Sequence, residues 1–222
     1  MLFDLRSRGR RRTVQVVYIG LAVLIGAGLI LFGVGTGSGG GGLFGAFTGS
    51  NSSSGSSNGA ATSQIKHALA ATKKNPHSAA AWANLVNARF SAANSIGYNS
   101  TSQSYTKVGK QQLHLLTQDY SHYTSLAKTP STNSATIAAK AYTQLSDWDR
   151  ASAIYQSLLQ TAPGSIVYLR CVALTSYAAK NDRVGGLAET RLLAKLPKSA
   201  RPQYKALIQQ AKTSTSVVTE TC

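Results

Sequence analysis

The most uniform apolar stretch of this chain lies near its amino-terminal end. Residues 14–34 carry no charged side chain and a single amide, Gln15. As a helix, this stretch would be about 31 Å long, which matches the ~30 Å hydrocarbon core of a bilayer. The pattern therefore predicts one transmembrane helix. The alternative is a cleaved signal peptide, whose apolar segment is usually only ~7–15 residues long.

Residues 35–63 interrupt the apolar pattern and consist mainly of Gly, Ser, Asn and Thr. Such a segment buries too little apolar surface to offset the entropy lost on ordering, so we expect a flexible linker. Residues 43–47 are a short apolar island within it. The island is either a contact with the outer membrane interface or a chance cluster.

From residue 64 onward, apolar residues recur every three or four positions, which predicts amphipathic helices. The clearest pair lies in residues 135–163, where Asp147 is a natural N-cap for the second helix and Pro163 follows its end. Trp82, with Leu85, Val86 and Phe90, predicts a further helix. The other predicted helices span residues 65–74, 107–128, 166–180, 184–196 and 200–212, and residues 91–106 form a long insert.

The pair at residues 135–163 resembles a tetratricopeptide repeat (TPR). In that signature, a small residue and Tyr lie in the first helix, an aromatic residue lies between two acidic ones in the turn, and Ala, Tyr and a closing Pro follow. Ser146 stands where the signature usually has Gly, and Ala135 where it usually has Trp or Leu. The matching residues are Ala139, Tyr142, Asp147, Trp148, Asp149, Ala151, Tyr155 and Pro163.

The resemblance implies an all-α fold with a right-handed superhelical stack of about three TPR-like helix pairs and a capping helix, preceded by the single transmembrane helix. The layout is similar to membrane-anchored repeat proteins of Gram-positive actinobacteria, and in architecture to single-pass repeat proteins that attend the bacterial secretion channel. The expected organisation is a basic segment (1–13), the transmembrane helix (14–34), the linker (35–63), the TPR-like domain (64–213) and a tail (214–222).

Positive charge is concentrated in two regions of a chain whose net charge is +16. Arginines at positions 6, 8, 10, 11 and 12 precede the predicted membrane helix, so the positive-inside rule leaves the amino terminus in the cytoplasm and the carboxy-terminal domain outside it. From residue 64 onward there are 18 basic and 6 acidic side chains. That excess either keeps the domain soluble or attaches it to anionic lipid or wall polymer. Nucleic acid is not an expected partner of an exported domain.

The resemblance also implies a concave groove lined by the first helix of each pair. Amide and basic groups at those positions suit an extended peptide, especially an acidic one. The function expected is therefore a scaffold for protein–protein interaction at the bacterial cell membrane, serving a secreted or envelope protein; the alternative is a solvated face without a ligand. The candidate groove residues are Asn84, Asn87, Thr136, Lys140, Thr143, Arg170, Cys171 and Tyr177.

The two cysteines, Cys171 and Cys222, leave two interpretations open. They form a disulfide that ties the tail back to the third helix pair, or Cys171 is a buried thiol and Cys222 lies in a frayed end. The four histidines are scattered, and Asp147 and Asp149 lie in a turn where capping explains them. We therefore expect no catalytic residue, no metal site, no cofactor and no enzymatic activity.

Overall fold

The computed structural model describes residues 56–222, with side-chain surroundings from residue 59 onward. Among them, no helix is both long and apolar enough to cross a bilayer. The predicted basic segment and transmembrane helix, and the linker up to residue 55, lie outside the described residues. The helices are α1 (Ser56–Lys74), α2 (Ala79–Gly97), α3 (Lys107–Leu126), α4 (Thr132–Gln144), α5 (Trp148–Thr161), α6 (Ile166–Ala178), α7 (Asp182–Lys195), α8 (Arg201–Thr213) and α9 (Ser216–Thr221).

The described residues therefore form an all-α fold, in which each helix from α1 to α8 packs against the next. Polar side chains fix where most of these helices begin. Six helices start at a residue whose side-chain oxygen accepts a hydrogen bond from the main-chain N–H three residues later, which satisfies a donor that the helix itself leaves free. These N-caps are Ser78, Thr106, Ser131, Asp147, Ser165 and Asn181.

The pairs α4–α5 and α6–α7 repeat the same geometry. Both first helices have 13 residues and both second helices have 14. The turn residues Ser146 and Lys180, which are 34 positions apart, both have positive φ angles, of 60° and 61°. The same spacing separates the N-caps Ser131 and Ser165, the N-caps Asp147 and Asn181, and the prolines Pro163 and Pro197. The chain thus contains a 34-residue structural repeat.

The predicted insert at residues 91–106 is more ordered than its composition suggested. Helix α2 continues through it to Gly97, and a two-stranded antiparallel hairpin follows, with Tyr98 paired to Tyr105 and Asn99 paired to Ser104. A side chain at Gly97 would overlap the main chain of Gly109, so these two glycines allow α2 and α3 to approach closely. The insert therefore consists of the last turns of α2 and a hairpin that connects α2 to α3.

A buried ion pair joins α2 to α3. The Arg89 guanidinium contacts the carboxylate of Asp119, and it also donates a 3.3 Å hydrogen bond to Gln112. Burial raises the pKa of Asp119, while the ion pair with Arg89 opposes that shift. Two opposite charges are therefore buried together, and each compensates the other.

The structure places helices in two segments that were predicted as part of the linker and as the tail. Residues 56–63, expected in the linker, are the first turns of α1. Residues 214–222, expected as a tail, contain the short helix α9, which packs against α4, α6 and α8. Val217 and Val218 of α9 are buried in the core. The apolar contacts of these two valines hold the end of the chain against the first helices of both 34-residue pairs.

Candidate functional site

Helices α2, α4 and α6 line an open cavity of about 500 Å³, which we call the groove. The hairpin borders the groove on one side, and residues 219–222, which we call the tail segment, border it on another. The groove is lined by Phe90 and Asn94 of α2; Tyr98, Gln103 and Tyr105 of the hairpin; Thr136, Lys140 and Gln144 of α4; Tyr155 of α5; Val167, Tyr168, Arg170 and Cys171 of α6; and all four residues of the tail segment.

Three side chains from three different helices donate hydrogen bonds to main-chain oxygens of the tail segment. Gln144 Nε2 donates to the oxygen of Thr219 over 2.7 Å, and Arg170 Nη2 donates to that of Thr221 over 3.3 Å. The Tyr155 hydroxyl donates to the oxygen of Cys222 over 2.9 Å. Because all three acceptors belong to the main chain, this recognition depends little on the identity of the bound side chains.

A disulfide bond between Cys171 and Cys222 holds the end of the tail segment on α6, with their Cα atoms 5.6 Å apart. The structure therefore has the first of the two arrangements that the sequence left open. Cys171 is buried, with 1% of its surface exposed, because it lies on the packed face of α6. Cys222 is half-buried and lines the groove.

The groove is lined by positively charged side chains, apart from the tail segment that borders it. Lys140 is exposed and Arg170 is half-buried, while the acidic residue among the lining side chains is Glu220 of the tail segment itself. Arg170 Nε is buried and has no hydrogen-bond partner among the described residues. A buried guanidinium N–H without an acceptor is costly, and Arg170 bears that cost while its Nη2 donates to the tail segment.

The Tyr155 hydroxyl is a donor over a wide pH range. Burial raises the pKa of Tyr155 to about 12, and the positive charge of Arg170 opposes that shift only partly. The ring is almost fully buried between α4 and α6, yet its hydroxyl reaches the groove. The ring of Tyr155 therefore packs in the core, while its hydroxyl is a hydrogen-bond donor at the groove.

Aromatic side chains line the part of the groove next to the hairpin. The rings of Tyr98 and Tyr105 meet edge to face with centroids 5.2 Å apart, and the Tyr105 hydroxyl donates to Asn94 Oδ1 over 2.5 Å. Tyr168 lies on the α6 side, 6.5 Å from the Tyr155 ring. These rings offer apolar surface beside polar groups, a combination that suits peptide side chains.

The structure brings together four of the predicted groove residues, Thr136, Lys140, Arg170 and Cys171. Asn84 is exposed on α2 and Asn87 accepts a 3.1 Å hydrogen bond from Asn133, and neither of them lines the cavity.

Thr143 and Tyr177, which were also predicted for the groove, have buried side chains and do not line the cavity. Thr143 is fully buried, and its hydroxyl donates to the Ala139 carbonyl one turn earlier on α4. Tyr177 lies against α7, where its hydroxyl donates to Glu189 over 2.7 Å. Burial and this hydrogen bond raise the pKa of Tyr177. Its position is explained by packing between helices rather than by ligand binding.

Sequence reasoning missed Gln144, Tyr155, the hairpin and the tail segment as parts of the groove. Gln144 could have been found, because it lies one helical turn after Lys140 on the same face. Tyr155 was correctly placed in the packing stripe, but nothing in the pattern indicated that its hydroxyl reaches the groove. The tail segment required knowledge of a contact between residues 51 positions apart.

No three His, Cys, Asp or Glu side chains within residues 56–222 lie close enough to hold a metal ion. Comparisons with protein-family models, with curated proteins and with solved structures found no match for this chain. Residues 56–222 thus form an all-α fold with a groove whose side chains contact a polypeptide main chain.

Proposed function

We propose that this protein is a membrane-tethered, non-enzymatic scaffold of TPR type, whose groove binds an extended segment of another protein outside the cytoplasm. One observation carries the proposal. Gln144, Tyr155 and Arg170 donate hydrogen bonds to the main chain of the tail segment, which borders the groove. The acceptors are the oxygens that the last turn of α9 leaves free, and the same three donors could serve the main-chain oxygens of another polypeptide segment.

The 34-residue period supports the TPR assignment. That period is typical of tetratricopeptide repeats, in which each helix pair buries its apolar face against the next pair. The periodic pairs here are α4–α5 and α6–α7, and α2–α3 would be a pair enlarged by the hairpin. The first helices of these pairs supply most of the helical residues that line the groove, with Tyr155 of α5 added, as a concave TPR surface would require.

The proposed attachment to the membrane is argued from the sequence. Residues 14–34 have the length and composition of a membrane helix, and the preceding arginines favour a cytoplasmic amino terminus. An extracytoplasmic location for the groove agrees with the Cys171–Cys222 disulfide, because such bonds persist in oxidising compartments.

The charge of the groove selects the class of ligand. Lys140 and Arg170 face the cavity, and Arg170 Nε has an N–H without an acceptor. An extended peptide with a carboxylate side chain would oppose both positive charges. We therefore propose an acidic, extended segment of a secreted or envelope protein as the partner.

The test uses a groove-open variant, in which residues 219–222 are deleted and Cys171→Ser removes the unpaired thiol. Val217 and Val218 remain, so the buried part of α9 is kept. Fluorescence anisotropy then compares two labelled peptides that differ in one charge, acetyl-Val-Thr-Glu-Thr-Ser and acetyl-Val-Thr-Lys-Thr-Ser. We expect the acidic peptide to bind at least fivefold more tightly, because only its charge is opposite to those of Lys140 and Arg170.

Matched substitutions locate the binding site. Lys140→Gln and Arg170→Gln should each weaken binding of the acidic peptide, whereas Lys198→Gln should leave it unchanged. Lys198 is an exposed lysine between α7 and α8 that does not line the groove. Equal weakening by all three substitutions, or no binding of either peptide to a folded groove-open variant, would contradict the proposal.

A second candidate function, attachment to anionic lipid or wall polymer, rests on the 18 basic side chains against 6 acidic ones after residue 63. Each basic group near an anionic surface contributes about 1 kcal/mol. This function predicts binding to vesicles that contain phosphatidylglycerol, and that binding should fade as salt is added. Salt-insensitive binding, or none, would exclude it.

A further inference from the structure

The tail segment takes the donors on which the proposed partner would depend. Its main-chain oxygens accept the hydrogen bonds of Gln144, Tyr155 and Arg170, and the exposed Glu220 is among the residues that border the same open cavity. A second peptide cannot accept those hydrogen bonds while the tail segment does. These three donors of the groove are therefore taken by the chain's own residues.

Two attachments keep the tail segment in place. On one side, Val217 and Val218 are buried in the core just before it. On the other side, the disulfide joins Cys222 to Cys171 on the packed face of α6. The hydrogen-bonded residues lie between these two attachments, so the segment cannot leave the groove while both hold.

We propose that the tail segment is a tethered competitor of the partner peptide, and that reduction of the Cys171–Cys222 disulfide is the step that opens the groove. This inference rests on the function proposed above. It adds a regulatory state to that function: oxidised chains are closed to partners, and reduced chains are open.

The chemistry requires a dithiol reductant, such as a thiol–disulfide exchange protein or a small dithiol. Its thiolate attacks Sγ of Cys222, which is the more exposed of the two cysteines and lines the groove. The S–S bond breaks, Cys171 leaves as a thiolate and takes a proton, and a mixed disulfide remains on Cys222. The second thiol of the reductant then attacks that mixed disulfide, releases Cys222 as a thiol and closes the oxidised reductant. Two electrons and two protons reach the protein.

Mass action explains why the covalent bond matters. A segment held by a short flexible connection competes at an effective concentration on the order of millimolar. With the disulfide closed, the tail segment cannot exchange at all without disrupting its anchors. Once the bond is reduced, the segment is held at one side only and exchanges with a free peptide.

The experiment uses the full-length chain in a mild detergent, oxidised or treated with dithiothreitol. The probe is a fluorescein-labelled peptide with the sequence of residues 216–222 and Cys222→Ser, followed by fluorescence anisotropy. We expect at least tenfold tighter binding to the reduced chain. The double variant Cys171→Ser/Cys222→Ser should bind like the reduced chain, and dithiothreitol should not change its affinity, which controls for effects of the reductant.

Hydrogen exchange provides a second readout that needs no peptide. In the oxidised chain, the amides of residues 219–222 should exchange slowly, and reduction should speed their exchange at least tenfold. Amides of α4 should keep their protection, because those main-chain hydrogen bonds do not depend on the disulfide.

The outcomes separate this inference from the proposed function. Equal probe affinity in oxidised and reduced chains, with unchanged exchange at residues 219–222, overturns the redox control. The same holds if the groove-open variant binds the probe and the reduced chain does not, and in that case the groove itself stands. If the folded groove-open variant, the reduced chain and the double variant all fail to bind, the proposed peptide groove is wrong and the inference fails with it.

Discussion

The contact between α6 and α7 gives a prediction in which two adjacent glycines have opposite effects. A Cβ atom added at Gly185 would lie 2.9–3.0 Å from ring atoms of Tyr177, which is closer than side chains tolerate. That ring cannot move freely, because its hydroxyl donates to Glu189 over 2.7 Å and Lys212 Nζ lies 4.3 Å from its centroid on one face. Gly185→Ala should therefore strain the packing between α6, α7 and α8.

The magnitude follows from two opposing terms. Overpacking of a core position costs about 1–3 kcal/mol, whereas replacing a helical Gly by Ala gains up to about 1 kcal/mol. We expect Gly185→Ala to lower the free energy of unfolding by about 1 kcal/mol, which lowers the melting temperature by about 2–4 °C for a unit of this size. Thermal unfolding of the full-length chain, followed by the helical circular dichroism signal, measures the shift.

Gly186→Ala is the matched control, because it lies in the same turn of α7. A Cβ atom there would have its nearest contact with the Tyr177 hydroxyl at 3.7 Å, an ordinary separation. Only the gain in helix propensity remains, so the melting temperature should rise by up to about 2–4 °C. If both substitutions raise the melting temperature equally, the close packing inferred at Gly185 is wrong.

Two further predictions concern buried ionisable groups. Arg89→Met should lower the free energy of unfolding by about 3–5 kcal/mol in urea titrations, because it leaves the Asp119 carboxylate buried without a partner, whereas Arg89→Met/Asp119→Leu should be nearly neutral. Equal losses in the single and double variants would contradict this. Burial raises the pKa of Tyr120 and Tyr155 from 10.0 to about 12. Since tyrosines of the unfolded chain ionise first, stability should be constant below about pH 10 and fall as the pH rises toward about 12, and Tyr120→Phe should reduce that fall. A melting temperature that is the same at about pH 9 and about pH 11.5 would refute it.

The sequence was most informative where local chemistry decides the structure. Asp147 predicted the start of α5 because an aspartate can accept from the main-chain N–H groups of the first turn, and the structure has that hydrogen bond to Arg150. Pro163 likewise predicted the end of the pair. Helix period and caps depend on residues close in sequence, so they can be predicted without knowledge of the fold.

The groove was harder to predict, because the periodicity of a helix does not show which other elements pack on each of its faces. Lys140 and Thr143 lie on one side of α4, yet only Lys140 lines the groove, while Thr143 is buried in the core. On α6, residues on several sides of the helix are buried because α5, α7, α8 and α9 all pack around it. A helix enclosed in this way has no polar stripe to indicate its exposed face. For that reason the pattern assigned Tyr177 to the groove although its side chain is buried.

The tail segment could not be placed from the sequence for a different reason. Its position depends on a disulfide across 51 residues and on hydrogen bonds from three helices, and none of these is encoded locally. The two cysteines allowed the bond but did not require it. That the tail segment borders the groove became visible only with the complete packing of α4, α5, α6 and α9.

The central claim, that the groove binds polypeptide, is tested most directly by a photo-crosslink from within it. Val167 lines the groove and is 53% exposed, whereas Leu187 on α7 is 61% exposed and lies outside the groove. A benzophenone amino acid at each position in turn, in the groove-open variant, is irradiated with the labelled form of acetyl-Val-Thr-Glu-Thr-Ser, and the adducts that carry the label are quantified by mass spectrometry. We expect an adduct from position 167 that excess unlabelled peptide suppresses, and none from position 187. Equal adducts from both positions, or none from position 167, would contradict the account.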